Sequence, residues 1–315
     1  MLGLHGAGAP IIREANMTTR SKGPLAGFGW LKSGFSVGYR HPKPLLGGAA
    51  FLVLACFLPS LITLPLQYHA MSAGTPPSLA TFGWIMAVSV LLGLLLVPLY
   101  AGYLQVVDAA ERGLPARALD IFKPYRQGEA LRLIGYGLAL ILVYVAMFGL
   151  IITATGGGIA SWYMDALTAQ TNHLPPPALP QGFGIAIALS TLLGLLIMGF
   201  YAISLGQVAL RRRNVLGAIG DGVIGALKNV LPLLVFALSA VLAWIGLAIA
   251  IALVALLLIL LSKLVGAWLV LVVIIPVYIA VILMAFTVMF GAMYHLWRDV
   301  CGDDIVPDMA QAIAA

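Results

Sequence analysis

The side chains that could perform acid–base, nucleophilic or metal chemistry are few and widely spaced in this sequence. The chain has five histidines and eleven carboxylates. It contains neither a His-Glu-x-x-His zinc motif nor a Gly-x-Ser-x-Gly nucleophile motif. His69, His173 and Asp165 fall in segments expected on one side of a membrane, but without the close ligand spacing of zinc sites. We therefore predict no catalytic residue, no cofactor and no metal site, and a protein that is not an enzyme.

The apolar segments carry no carboxylate near their centres. An acidic or basic side chain at the bilayer centre costs about 2.5–3.5 kcal/mol on insertion scales, so one that is retained usually serves a function. The pattern therefore argues against a proton-coupled pump. It leaves open a carrier for lipid-like molecules that uses tyrosine, serine and backbone groups.

Three tyrosines lie inside apolar segments: Tyr100, Tyr201 and Tyr278. Pro98 and Pro276 each precede one of them by two residues. Proline in a span frees a carbonyl that neighbouring groups must satisfy. A bent bundle with these tyrosines facing inward would have a cavity, whereas ordinary packing would leave each hydroxyl bonded to backbone. Both alternatives stay open.

The composition is that of an integral membrane protein. Hydrophobic residues make up 62% of the chain and charged residues 9%, whereas soluble domains are about one quarter charged. Mean hydropathy is +1.06. Since a spanning helix needs about 20 apolar residues, we predict an all-α fold with six transmembrane helices, at about 45–66, 79–104, 131–154, 183–209, 230–261 and 264–292. Residues 1–26 and 298–315 are the predicted tails of a 27–297 membrane domain.

The basic residues alternate with these spans. Of the seventeen Lys and Arg, all but Lys263 fall on one side of the predicted membrane. An excess of Lys and Arg marks the cytoplasmic side, so we predict a membrane protein with both termini in the cytoplasm. The net charge of +6 is then directed at lipid head groups and not at nucleic acid. Met17, followed by TTRSKG, is a second plausible natural start.

Short amphipathic stretches precede the odd-numbered spans. In the first, Phe28, Leu31, Phe35 and Tyr39 repeat at helical spacing, which is typical of a helix lying in the interface. The basic residues of these stretches are predicted to contact head groups; they are Lys32, Arg40, Lys43, Lys123, Arg126, Arg211, Arg212, Arg213 and Lys228.

The sequence also indicates an internal repeat. Two segments match each other: LLGLLLVPLYAGYL (91–104) and LLGLLIMGFYAISL (192–205). The amphipathic stretches that follow them, 118–131 and 218–231, also correspond, and a similar stretch lies at 27–46. The predicted unit is an interfacial helix plus a two-span hairpin, used three times. Four glycines are expected to allow close helix contact; they are Gly93, Gly102, Gly135 and Gly137.

The motifs GFGWLKSGF, RHPKPLL and AAERG resemble a family of uncharacterised multi-spanning inner-membrane proteins of Gram-negative bacteria. More distantly, the chain is similar to the membrane domain attached to some glycerophosphodiester phosphodiesterases, although it lacks their soluble barrel. Neither resemblance implies catalytic residues here.

Two functions follow from these observations as hypotheses. The first is a non-enzymatic envelope protein that works through contacts with membrane lipids, a second copy of itself or another membrane protein. The second is a carrier or channel for an amphiphilic small molecule, which would require a water-accessible central cavity.

Overall fold

A computed structural model describes residues 19–72, 79–155, 158–172, 174–266 and 268–302. Six helices in this part of the chain are long and apolar enough to cross a membrane, which confirms the all-α membrane fold. Met17 and the outer parts of both predicted tails lie outside the described residues.

The helices follow one another in a simple order, with short connections. They are α1 (Ala26–Arg40), α2 (Pro42–Ser72), α3 (Leu79–Glu111), a 3₁₀ segment (Ala118–Phe122), α4 (Lys123–Arg126), α5 (Ala130–Ala154), α6 (Gly158–Thr171), α7 (Phe183–Leu210), α8 (Val215–Lys228), α9 (Val230–Val265) and α10 (Trp268–Cys301). The six long ones are α2, α3, α5, α7, α9 and α10, each at a predicted span.

Two spans extend well past their predicted ends. Helix α3 continues to Glu111 instead of 104, and α10 continues to Cys301 instead of 292. The added turns contain charged residues among apolar ones, so apolar composition alone does not reveal them. They are held by other parts of the protein, as in the ion pair between Glu111 and Arg40 of α1, whose closest atoms are 2.7 Å apart.

The second helices of the three hairpins, α3, α7 and α10, contact one another in the middle of the bundle. The first helices lie around them in a regular way. Helix α2 contacts α3 and α10, α5 contacts α7 and α3, and α9 contacts α10 and α7. Each first helix therefore packs against its own partner and against the second helix of the hairpin before it, counted as a ring.

The short elements follow the same ring. Helix α1 packs against α9 and α10, the 3₁₀ segment against α2 and α3, and α8 mainly against α7. The middle element is not one amphipathic helix, because it divides into the 3₁₀ segment and the single turn α4. Pro124 at the start of α4 lacks an N–H, and Gly128 has a positive φ of 74°.

Helix α1 turns a glycine-lined face towards the bundle. Trp30, Leu31, Gly34 and Val37 are buried, and a Cβ on Gly34 would lie 2.4 Å from the carbonyl oxygen of Val288. Phe28, Phe35 and Tyr39 are exposed. The predicted apolar face therefore divides, because Leu31 packs inward while the three aromatic residues stay on the outer surface.

Two of the four glycines expected at close contacts are found there. A Cβ on Gly102 would lie 2.0 Å from the carbonyl oxygen of Ile121, and one on Gly137 would lie 2.9 Å from Val97. Gly93 and Gly135 have nothing within 4 Å, so that expectation was wrong for them.

Substitution of Gly34 by alanine should destabilise the protein by about 1–3 kcal/mol, as overpacking typically does, because the new Cβ meets backbone atoms of α10. Gly29→Ala, on the same helix with nothing within 4 Å, is the matched control and should be neutral or stabilising by up to about 1 kcal/mol. Thermal unfolding in mild detergent measures both. Equal melting temperatures for the two variants would contradict the close approach of α1 to α10.

Candidate functional site

The predicted head-group residues lie at the end of the bundle where α1, the 3₁₀ segment, α4 and α8 pack, which we call the polar end. One group of these residues is exposed. Lys32 and Lys43 are on the surface. The side chain of Arg126 is 62% exposed and that of Arg212 is 69% exposed, although each lies near a carboxylate. Arg40 is half-exposed while it pairs with Glu111. These side chains remain available to an anionic surface.

A second group of the predicted basic residues is used within the protein. Arg213 pairs with Asp221, with 2.7 Å between Nε and Oδ2. Arg211 lies over the ring of Trp297, with Cζ 5.7 Å from the ring centroid, and donates to the carbonyl of Gly302. Lys228 donates to the carbonyl of Thr19 at 3.0 Å. These three cations connect elements of the polar end to one another.

Asp221, the partner of Arg213, is a buried carboxylate, with 7% of the residue exposed. Besides Arg213, it accepts a hydrogen bond from the Gln207 side chain at 2.8 Å. Burial raises the pKa of the Asp221 carboxyl above its ordinary value, and Arg213, Gln207 and Arg211 oppose that shift. The Gln207–Asp221 hydrogen bond therefore joins α7 to α8, and Arg213 holds the connection between them against the same carboxylate.

Another polar cluster joins α1, α3 and α10. The indole N–H of Trp30 donates to Asp299 at 2.9 Å, and Arg298 donates to Nδ1 of His295 at 3.1 Å. Nε2 of His295 lies 3.5 Å from the same Glu111 that pairs with Arg40. Sequence reasoning did not assign Trp30, His295 or Gln207 a role.

Of the three tyrosines considered for a cavity, the structure brings Tyr100 and Tyr201 near each other. The Tyr100 ring stacks on Phe290, with centroids 6.1 Å apart, and its hydroxyl lies 3.3 Å from Sγ of Cys56. Tyr201 is also partly buried and packs against the same apolar core as Tyr100. Tyr278 is 65% exposed and lines a separate groove between α9 and α10, because it faces away from the centre of the bundle.

The best-enclosed tyrosines are others that sequence reasoning missed. The Tyr103 hydroxyl donates to the Leu45 carbonyl at 3.1 Å and lies 3.1 Å from Oγ1 of Thr287. The Tyr136 hydroxyl lies 2.6 Å from Oγ of Ser204. Buried polar groups need such partners. The Tyr103–Thr287 pair joins the first and third hairpins, whereas the other two hydrogen bonds each lie within one hairpin.

Two apolar grooves lie on the sides of the bundle. The larger, of about 410 Å³, runs between α2 and α3 and is closed at the polar end by Phe122 and Tyr125. The smaller, of about 220 Å³, lies between α9 and α10 and includes Tyr278. Both are lined almost entirely by apolar side chains, so their chemistry suits hydrocarbon.

Within the described residues, no three His, Cys, Asp or Glu side chains are grouped as metal ligands would be. His173 lies outside this part of the chain. Cys56 and Cys301 are free thiols.

No known protein family, curated protein or solved structure matches this chain. The resemblance to uncharacterised inner-membrane proteins therefore stays a prediction, and the site has to be interpreted from its own geometry.

The raised pKa of Asp221 predicts a pH dependence of stability. Between the ordinary value of 3.8 and the raised folded-state value, the folded protein binds more protons than the unfolded chain. Its unfolding free energy should therefore fall as pH rises across that window. Asp221→Asn removes this component, so the melting-temperature difference between wild type and variant should change with pH. Parallel curves from pH 4 to pH 7 would contradict it.

Proposed function

We propose that this chain is a non-enzymatic protein of the bacterial inner membrane that contributes to envelope organisation through lipid and protein contacts. The observation that carries the proposal is the position of the cavities relative to the polar groups. The two grooves are apolar and lie on the sides of the bundle. Surplus cations lie at the end where the short helices pack, which is the chemistry of an anionic lipid surface.

The polar groups inside the bundle support the same proposal. Tyr103, Thr287, Tyr136 and Ser204 are fully buried and pair with one another or with backbone. A path for a polar solute would have to break these hydrogen bonds. Each broken hydrogen bond would leave an unsatisfied polar group in hydrocarbon. The carrier or channel remains the alternative, and the neighbouring Tyr100 and Tyr201 are the feature that favours it.

The ring of contacts supports a threefold repeat as the basis of this architecture. In each proposed unit, a short element and the first helix of a hairpin both pack on the preceding hairpin. The third unit closes on the first through α1, which contacts α9 and α10. The two apolar grooves lie within the first and third hairpins.

Native mass spectrometry of the protein released from membranes without harsh delipidation tests the proposed function. We expect retained phospholipid, a second copy of the chain or a stoichiometric protein partner, because the exposed chemistry suits those ligands. A reproducibly bound water-soluble solute, with no lipid or protein partner, would overturn the proposal and favour the carrier.

The proposed orientation has a separate test by cysteine labelling. In a background with Cys56 and Cys301 replaced, Asn172→Cys should react with an impermeant maleimide when only the outer membrane is permeable. Lys32→Cys is the matched control, since it is also exposed, and should react only after the inner membrane is opened. The reverse pattern would invert the topology.

A further inference from the structure

The groove between α2 and α3 has the shape of a site for a hydrocarbon chain. Its walls include Leu54 and Ala55 of α2 and Leu92 and Leu96 of α3. From Phe51 to Pro59, which both line it, α2 rises about 12 Å at 1.5 Å per residue. It therefore runs from the polar end into the apolar part of the bundle and is open along its side to lipid.

The end of the groove is built so that it presents an apolar surface. Phe122 and Tyr125 close it, and the Tyr125 hydroxyl donates to the Leu95 carbonyl of α3. With its polar atom occupied in this way, Tyr125 offers its ring to the groove. The same hydrogen bond attaches α4 to α3, so the end of the groove is held in place.

Positive charge lies directly beside this end. Lys123 and Arg126 flank Tyr125 on the single turn of α4, and both lie near one carboxylate, Asp120. The Lys123 Nζ is 3.4 Å from Asp120 and the Arg126 Nη2 is 3.9 Å from it. Two cations share one anion, and Arg126 is 62% exposed. An anionic group at the head of a hydrocarbon chain would meet the surplus charge.

We propose that this groove binds one acyl chain of an anionic phospholipid, with the lipid phosphate beside Lys123 and Arg126. The inference rests on the proposed function and names the partner at one position of the surface. The commitment to a lipid, and not to a free phosphate, follows from the continuity of the apolar groove with the cationic turn.

The smaller groove between α9 and α10 provides an internal comparison. It is lined by residues such as Ala250, Val254 and Tyr278, and no basic side chain lines it. A hydrocarbon chain could lie in either groove, but the larger one ends at a turn that carries two cations, whereas the smaller one has the single Lys263, five residues beyond Leu258 on α9. Selectivity for an anionic lipid should therefore belong to the α2–α3 groove.

The test uses the full chain reconstituted in vesicles of equal parts phosphatidylglycerol and phosphatidylethanolamine, then extracted gently for native mass spectrometry. The wild-type protein should retain one phosphatidylglycerol molecule in preference to phosphatidylethanolamine. Ala55→Trp should fill the groove and abolish that retention, while Ala250→Trp in the other groove should not. Arg126→Gln should reduce the preference for phosphatidylglycerol by about fivefold, the effect expected of one basic residue at an anionic surface. Lys32→Gln is the charge-matched control.

A second measurement does not depend on the folding of any variant. Phosphatidylglycerol with a photoactivatable group on one acyl chain, added to the wild-type protein, should cross-link to the peptides containing 51–59 and 92–99. Adducts spread evenly over all the long helices would overturn the site.

The outcomes separate the two proposals. Unchanged phosphatidylglycerol retention in Ala55→Trp would overturn the groove and leave the proposed function standing. Retention of neither lipid nor protein partner by the wild-type chain would overturn both. Equal loss of preference in Arg126→Gln and Lys32→Gln would show that general surface charge, and not the cationic turn, selects the lipid.

Discussion

The architecture depends on the close approach of helix backbones at glycine. In a membrane, apolar side chains gain little by leaving lipid for protein, so helices associate through van der Waals packing and interhelical hydrogen bonds. At Gly34 and Gly102 a Cβ would meet backbone of the facing element, and at Gly222 it would meet the ring and the carbonyl oxygen of Phe200. Each of these glycines therefore lets a short element lie close against a long helix. All three of these contacts are at the polar end, so the short elements are integral parts of the bundle.

Ion pairs and hydrogen bonds also connect the elements of the polar end to one another. At the polar end, buried or half-buried carboxylates such as Glu111 and Asp221 pair with cations from neighbouring elements. Asn229, which is 1% exposed, donates to the carbonyl of Arg20 at 2.9 Å and accepts from the N–H of Lys22 at 2.8 Å. This attaches the start of the described chain to the end of α8. Such contacts divide the basic residues between internal connections and contacts with the surroundings, a division that a count of charges alone cannot reveal.

The sequence predicts the six spans, because length and apolarity are properties of single segments. It does not predict which residues meet. Leu31 and Phe35 look equivalent on a helical wheel, yet only Leu31 is buried, since the neighbours that cover it lie more than two hundred residues away. Gly93 and Gly102 are likewise equivalent in sequence, and only Gly102 meets another backbone. Tyr278 shares its type and setting with Tyr100 but faces outward.

The close glycine contacts and the internal ion pairs together determine where this bundle can bind a further ligand. Interior hydroxyl groups such as those of Tyr136 and Ser204 are already paired, so a new ligand there would have to replace a partner. The side grooves of the bundle offer apolar surface to lipid, but lipid of any kind can fill them. Only where such a groove ends beside cations that exceed their internal carboxylates, as Lys123 and Arg126 exceed Asp120, can hydrocarbon and charge be recognised together. A requirement for both makes the lipid contact selective.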